Sequence, residues 1–289
     1  MWISDKWTDF ELIDCGSGEK LERWGDKILL RPDPQAIWKP ERSNSLWRRP
    51  DASYRRSNTG GGEWNTAGID ERWHVSYGRL RFQVGLMNFK HTGIFPEQAV
   101  NWDFIMDTIS TAGRSVNVLN LFAYTGGATI AAAAAGARVC HVDAAKGMVS
   151  WAKENARLSG LSDRPIRWIV DDCRKFVERE IRRDRRYDAV IMDPPSYGRG
   201  PSGEIWKLED DLYDFVSLVS GVLSDTPLFI IINSYTTGLA PSVLKYLLEL
   251  IFVKKYGGRA EADELGLPVT ETGSCLPCGA AGRWIAERR

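Results

Sequence analysis

Four carboxylates and one turn concentrate the chemistry that this sequence could do. Asp143, Asp171-Asp172 and Asp193 each close a short apolar run, and Gly126-Gly127 close another. The segment Val116–Gly127, VNVLNLFAYTGG, reads as a buried strand (Val116, Val118, Leu119, Leu121, Phe122) that stops at the double glycine. The run that follows, ATIAAAAAGA, is strongly helix-forming. Strand, glycine turn and helix open the units that bind nucleotide cofactors, because the backbone there comes close to the ligand. In the turn Phe122-Ala123-Tyr124-Thr125-Gly126-Gly127, Ile130 stands where a dinucleotide fingerprint needs its third glycine, which disfavours a pyrophosphate site. Two glycines still admit an uncharged or zwitterionic tail. Asp143 lies seventeen residues beyond Gly126 and is placed to accept both hydroxyls of a ribose. Asp171-Asp172 ends the next run, where a carboxylate can accept from an adenine amino group. The three in order suit a nucleoside without phosphates, such as S-adenosylmethionine. Each also has a plainer reading, since glycines pack turns and strand-end aspartates cap helices.

The fourth run carries a different signature. Tyr187–Tyr197, YDAVIMDPPSY, ends in Asp193-Pro194-Pro195-Ser196-Tyr197. Two prolines enforce an extended turn and remove two backbone donors, leaving carbonyls to face a site. A carboxylate and a proline carbonyl can together accept from an exocyclic amine, and Tyr197 can stack on a flat acceptor. Methyl transfer from a sulfonium is an in-line displacement, so catalysis there comes mainly from positioning. The plainer reading is a strand-ending turn with Tyr197 as packing.

The elements that must hold these residues fall in two regions. From about residue 93, strand candidates (Val116–Phe122, Arg138–Val142, Ile166–Val170, Asp188–Met192, Leu228–Ile232) alternate with helical patches. In Glu209–Leu223, for example, Leu212, Phe215, Val216, Val219 and Leu223 share a face. Such alternation implies right-handed crossovers and a mostly parallel sheet, with ligands at the carboxyl ends of its strands. Residues 1 to about 90 are richer in tryptophan and arginine, and read as a small β-rich module. Glu71–Leu86 alternates about Gly78 as a hairpin, Asp26–Leu30 reads as a short strand, and Ser43–Asn65, with Gly60-Gly61-Gly62, reads as a polar loop.

Composition bounds the rest. A chain of 289 residues, 43% hydrophobic, can bury a large domain and a small one, and its net charge of +0 gives no global basic field. Five irregularly spaced cysteines suggest reduced thiols. With neither a signal-peptide pattern nor an apolar run long enough to span a bilayer, the expectation is a soluble cytoplasmic protein without a membrane partner.

The segments HTGIFPEQAVNWDF, LNLFAYTGGATIAAAAAGARVCHVDAAKGMVSWAKENARLSGL, DDCRKF, DPPSYGRG and INS resemble class I S-adenosylmethionine-dependent methyltransferases. They are similar to the bacterial family of ribosomal-RNA large-subunit cytosine-C5 and guanine-N7 enzymes. The resemblance implies an α/β, Rossmann-like sheet, mostly parallel with an antiparallel strand near the C-terminus, over residues 91–289. The β-rich module of residues 1–90 would precede it and could serve substrate recognition. It implies S-adenosyl-L-methionine as cofactor, held by Phe122–Gly127, Asp143 and Asp171-Asp172, with Phe95 and Gln98 closing over its methionine end. Asp193, Pro194, Pro195 and Tyr197 would face the acceptor, with Arg199, Asn233 and Ser234 as substrate contacts. One departure matters. Where the C5 enzymes carry a nucleophilic cysteine after the fifth strand, this chain has Asn233-Ser234-Tyr235, so a nitrogen acceptor fits better.

Other candidates are weaker. Cys275-x-x-Cys278 lacks two ligands for a zinc site, so no metal is expected. His141 and His74 read as structural, whereas His91 stands beside the proposed lid, and Arg182–Arg186 reads as a solvated helix end. Arg48, Arg49, Arg55, Arg56, Arg79, Arg81 and Lys90 are interleaved with Trp47, Tyr54, Trp64 and Trp73, a pattern able to grip RNA phosphates and stack bases. The tryptophans could equally be the module's core, and it is mainly the family resemblance that implies RNA as the partner. A small-molecule or protein acceptor, or a non-catalytic RNA-binding role, are the alternatives.

Overall fold

A computed structural model describes residues 1–57, 61–66, 68–87, 89–199 and 205–287, without the Arg199 side chain. Gly60 lies outside the described residues. The chain forms two compact units, Met1–Val100 with Leu265–Cys278, and Asn101–Glu264 with Gly279–Arg289. The first compact unit runs to Val100, ten residues beyond the expected module, and a late segment returns to it. Hydrophobic periodicity cannot reveal that return, because it is made by pairing between residues remote in sequence.

The first unit is built of short strands. β1 (Trp2–Ile3) pairs in parallel with Leu265 and Gly266 of the late segment. β2 (Phe10–Gly16), β3 (Glu19–Trp24) and β4 (Lys27–Pro32) form an antiparallel meander with a bulge between Leu12 and Asp14. β4 runs parallel to β5 (Ala52–Arg56), whose hairpin partner is β6 (Gly62–Thr66). The expected loop at Ser43–Asn65 is therefore a 3-10 turn at Ser45–Arg48 and most of a hairpin, pinned by an edge-to-face contact of Tyr54 and Trp64 at 5.4 Å. β7 (Arg72–Tyr77) and β8 (Leu80–Gly85) bury Trp73, Val75, Tyr77, Leu80, Phe82 and Val84 at alternate positions, as a period of two requires.

Three of the four aromatics expected to stack bases are core, and Trp64 is half-buried. Trp47, Tyr54 and Trp73 are buried, Trp47 Nε1 donating to Asp14 Oδ2 at 2.9 Å and Trp73 Nε1 to the Trp24 carbonyl at 2.9 Å. Trp64 Nε1 donates to the Met87 carbonyl at 2.7 Å. Their arginine neighbours, Arg48, Arg49, Arg55, Arg56, Arg79 and Arg81, stay exposed. At the centre of this unit lies a buried ion cluster. Arg31 donates from Nε and Nη2 to the two oxygens of Glu22 at 2.6 and 2.8 Å, and Lys20 approaches Glu22 at 3.3 Å. Burial alone would raise the Glu22 carboxyl, but Arg31 and Lys20 outweigh it and hold the pKa down to about 2.

The second unit alternates strands and helices. α1 (Ala99–Ser110) enters it, followed by β9 (Asn117–Leu121), α2 (Gly127–Ala134), β10 (Arg138–Asp143), α3 (Lys146–Leu158), β11 (Ile166–Val170), α4 (Cys173–Arg182) and β12 (Ala189–Met192). A small hairpin, β13 (Tyr197–Arg199) and β14 (Ile205–Lys207), leads to α5 (Leu208–Val219), β15 (Phe229–Ser234) and α6 (Pro241–Leu248). β16 (Arg259–Pro268) and β17 (Cys275–Ile285) close the chain. The strand order is β11-β10-β9-β12-β15-β17-β16. β9, β10, β11, β12 and β15 are parallel, and β17 runs antiparallel to β15. This is a Rossmann-like α/β sheet, and its order reverses between β9 and β12, the switch point where such sheets bind ligands. The apolar residues of β12 and β15 are fully covered, as strands in a two-sided parallel sheet must be. Among the described residues, no helix is long and apolar enough to cross a membrane.

Candidate active site

The carboxyl end of β9 becomes a turn whose backbone is unusual. Phe122 and Tyr124 have φ of 53° and 49°, and Gly126 has φ of 88°. Left-handed geometry at two non-glycine residues is uncommon and persists only when neighbours fix it. Phe122 N–H donates to Cys173 Sγ at 3.3 Å, Ala123 N–H to the Val142 carbonyl at 3.1 Å, and Tyr124 N–H to Asp143 Oδ2 at 2.8 Å. Asn155 of α3 holds the Thr125 carbonyl at 2.9 Å. The glycines serve packing as well. A Cβ on Gly126 would lie 2.9 Å from Ala152 Cβ, and one on Gly127 2.6 Å from Cζ2 of Trp102.

Asp143 ends β10 beside this turn, accepting from Tyr124 N–H and, through Oδ1, from Ala145 N–H at 2.8 Å. Burial raises its pKa above the usual carboxylate value, against the pull of those two donors. Asp171 and Asp172 follow β11. Asp171 N–H meets the Asp143 carbonyl at 3.1 Å, while the Asp171 carboxylate pairs with Arg179. Asp172 caps α4, its Oδ1 accepting from Lys175 N–H at 2.9 Å. The plainer reading therefore holds for one oxygen of Asp172.

Asp193 follows β12, its N–H directed at the Leu121 carbonyl at 3.4 Å. The Pro195 carbonyl, expected to face an acceptor, already receives Trp206 Nε1 at 2.6 Å. Trp206 in turn packs with Phe122 (5.8 Å between centroids) and Phe215 (5.6 Å), tying the β13–β14 hairpin to the glycine turn. Tyr197 is exposed on β13. The Arg199 side chain lies outside the described structure.

Asn233 and Ser234, expected as substrate contacts, are both buried at the end of β15. Asn233 Oδ1 accepts from Asn101 Nδ2 at 3.0 Å, and Asn101 Oδ1 accepts from Arg283 Nε and Nη2 at 3.0 and 2.6 Å. Ser234 Oγ accepts from Thr236 N–H at 3.2 Å. These bonds brace the strand end. Beneath the turn, Asn120 Nδ2 donates to Thr129 Oγ1 at 2.9 Å, and Thr129 Oγ1 meets His141 Nδ1 at 2.9 Å. Phe95 and Gln98 belong to the first unit, at a 3-10 turn over Pro96–Gln98. Phe95 packs against His91 at 5.3 Å, and Gln98 is buried. Sequence reading missed Trp102, Asn155, Cys173 and Trp206, whose roles are to pack and to hold backbone, and no motif announces such roles.

In this turn the backbone N–H groups of Ala123 and Tyr124 are bonded to a carbonyl and a carboxylate, and that of Gly126 to the Ala123 carbonyl at 3.0 Å. A carboxylate at the turn suits hydroxyl groups and repels phosphates. A profile described as S-adenosylmethionine-dependent methyltransferase matches residues 31–233. The chain belongs to this family.

The methyltransferase has relatives named as ribosomal RNA large subunit methyltransferase K/L. That of Shewanella frigidimarina is 30% identical over 238 residues, covering 72% of this chain and 32% of the relative. That of Methylococcus capsulatus is 33% identical over 145 residues, covering 50% and 19%. The chain thus spans a third or less of the length of these relatives. Among solved structures, a SAM-dependent methyltransferase from Agrobacterium tumefaciens is 37% identical and matches with a TM-score of 0.93 over 99% of this chain and 93% of that one. SMU.776, a putative methyltransferase complexed with SAH, is 18% identical with a TM-score of 0.73 over 97% and 76%, and shows the shared fold. The methyltransferase uses S-adenosylmethionine, and its donor set fits a phosphate-free nucleoside.

Proposed function

We propose that this methyltransferase acts on a nitrogen of an RNA base, with ribosomal RNA as its substrate. The RNA part rests on the names of its relatives. The preference for nitrogen rests on the state of the thiols. The cysteines of the second unit, Cys140 and Cys173, are both buried, and burial pushes both thiols up, Cys140 to about 11. Neither is poised as the thiolate that C5 chemistry needs. An acceptor with its own lone pair needs only orientation and a place for its proton.

S-adenosylmethionine, when bound, supplies a methyl group on a positively charged sulfur. In our reading the Asp143 carboxylate accepts from the ribose hydroxyls, and Asp172 from the adenine amino group. Phe95 and Gln98 are assigned to the methionine end on the resemblance of HTGIFPEQ alone. Asp193 accepts an N–H of the base, turns its lone pair toward the methyl group and takes the departing proton. Pro194 and Pro195 keep the turn extended, with Trp206 fixing the Pro195 carbonyl, and Tyr197 offers a face for the base. The observation that carries this reading is the placement of Asp143, Asp172 and Asp193 at the carboxyl ends of β10, β11 and β12, on either side of β9 and its glycine turn.

The test is methyl incorporation from labelled S-adenosylmethionine into protein-free ribosomal RNA, with transfer RNA and a small-molecule extract in parallel. Mass spectrometry of the digested nucleosides locates the label. The expected result is an N-methylated base, with the rate falling by about 10²-fold or more in Asp193→Ala and cofactor affinity held within about threefold. Label at C5 of a pyrimidine, or only in the other acceptors, refutes the proposal.

A further inference from the structure

On the second unit, away from the strand ends that carry the aspartates, α3 and the amino-terminal half of β11 enclose a groove of about 380 Å³. β11 is the last strand of the sheet on that side. Leu161 and Ile166 form apolar wall, and Trp168 stands half-buried beside them. Behind Trp168 lies His141, with ring centroids 4.9 Å apart, so the indole is seated on the core.

Two features of this groove have no use within the fold. Trp7, Trp24, Trp38, Trp47, Trp64, Trp73, Trp206 and Trp284 each donate the indole N–H to an acceptor of the protein. Trp168, lining an open groove, makes no such bond among the described residues. A tryptophan set against a core normally finds a partner for that proton. The second feature is charge. Arg157, at the rim, is neutralised by Glu154 in a two-bond pair at 2.8 and 2.6 Å. Lys153 and Arg164 also line the groove, and no carboxylate among the described residues pairs with either.

A flat aromatic surface with an unused donor, next to two unneutralised cations, matches a base joined to a phosphate. We propose that this groove docks a single nucleotide of a single-stranded RNA segment, its base on Trp168 and its phosphate on Lys153 and Arg164. An acidic peptide would use the two cations but leave the aromatic face without a planar partner, so RNA is the better match. The groove would hold the RNA away from the reacting base, and its claim does not depend on which base receives the methyl group.

The test uses the full chain and a fluorescein-labelled oligouridylate of about nine residues, long enough for one such site. Binding is followed by anisotropy between about 50 and 200 mM salt. Trp168→Leu and the double variant Lys153→Glu/Arg164→Glu should each weaken binding by about fivefold or more, since one stacked base or one phosphate contact is removed. In the double variant the slope of log affinity against log salt should also flatten by about 0.7, the value of one phosphate contact on a single strand. Thermal melting and S-adenosylmethionine affinity should stay unchanged in the charge variant, which alters only exposed side chains. Equal binding by all three proteins, no binding by the wild type, or displacement by an oligoglutamate of equal length as effective as by unlabelled RNA would each overturn the proposal. If ribosomal RNA proves not to be methylated while oligouridylate binding still depends on Trp168, the acceptor assignment fails and the groove stands.

Discussion

Gly127→Ala separates two reasons for the double glycine, close approach of a ligand and close packing of the protein. Gly127 is the first residue of α2 and lies outside the left-handed region, so alanine meets no backbone strain there. The obstacle is Trp102, whose Cζ2, Cε2 and Nε1 would lie 2.6, 2.9 and 3.1 Å from the new methyl group. Ordinary carbon contacts begin near 3.5 Å, so the indole or the helix must move by about 1 Å. Overpacking of this size costs about 1–3 kcal/mol. In a chain of 289 residues that corresponds to a fall in melting temperature of about 2–9 °C, at roughly 2–3 °C per kcal/mol. Scanning calorimetry on Gly127→Ala, Trp102→Phe and the double variant tests it, because Phe lacks the fused ring that makes the clash. The expected coupling is at least about 1 kcal/mol in favour of the pair. S-adenosylmethionine affinity should change less than the stability does. An unchanged melting temperature with a tenfold or greater loss of cofactor affinity would refute the packing argument and return the glycine to ligand approach.

Other perturbations follow from the same geometry. Glu22→Gln should destabilise the first unit by about 3–5 kcal/mol, because Arg31 would be left as a buried charge without its counterion. The depressed Glu22 pKa also makes its contribution one that is present above pH about 4.5 and lost as pH falls toward about 2, which circular dichroism of the wild type against the variant can follow. Thr129→Val keeps shape but removes the partner of both Asn120 and His141, and should cost about 2 kcal/mol or more in denaturant titration. For Asp143 the shift has the opposite sign to that of Glu22. Its raised pKa predicts that cofactor affinity, read by calorimetry, declines with acidification at a pH above the ordinary carboxylate range, and Asp143→Asn should abolish that dependence while weakening binding about tenfold or more.

The parallel sheet was legible because its strands are apolar runs ended by polar turns. Ile166–Val170 matches its expected limits, and Val116–Phe122 loses one residue at each end. The helix expected over Glu209–Leu223 is α5 followed by a 3-10 turn at Ser220–Val222, because the same apolar face serves both forms. The hairpin at β5 and β6 was hidden by its surface, where both strands are mainly polar and show little of the alternation that marks a half-buried strand. Tryptophan among arginines looked like an RNA-binding surface, yet burial assigned Trp47 and Trp73 to the core. Composition records which residues occur together and not which way they point. At the site, the aspartates were visible as run-ending acids. Trp206, Asn155 and the burial of Asn233 were not, since each depends on a partner far along the chain.

The late segment has a consequence for the order in which the protein can be made. Ser4 N–H pairs with the Gly266 carbonyl, and the Leu12 and Ile13 carbonyls receive Thr270 and Glu271 N–H at 3.0 Å each. A ribosome exposes those strands long before it has synthesised their partners. The nascent first unit must therefore wait, with strand edges open to other chains, while the parallel strands β9 to β15 are translated. Cutting the gene after codon 100 would isolate the emerging intermediate and not a finished domain.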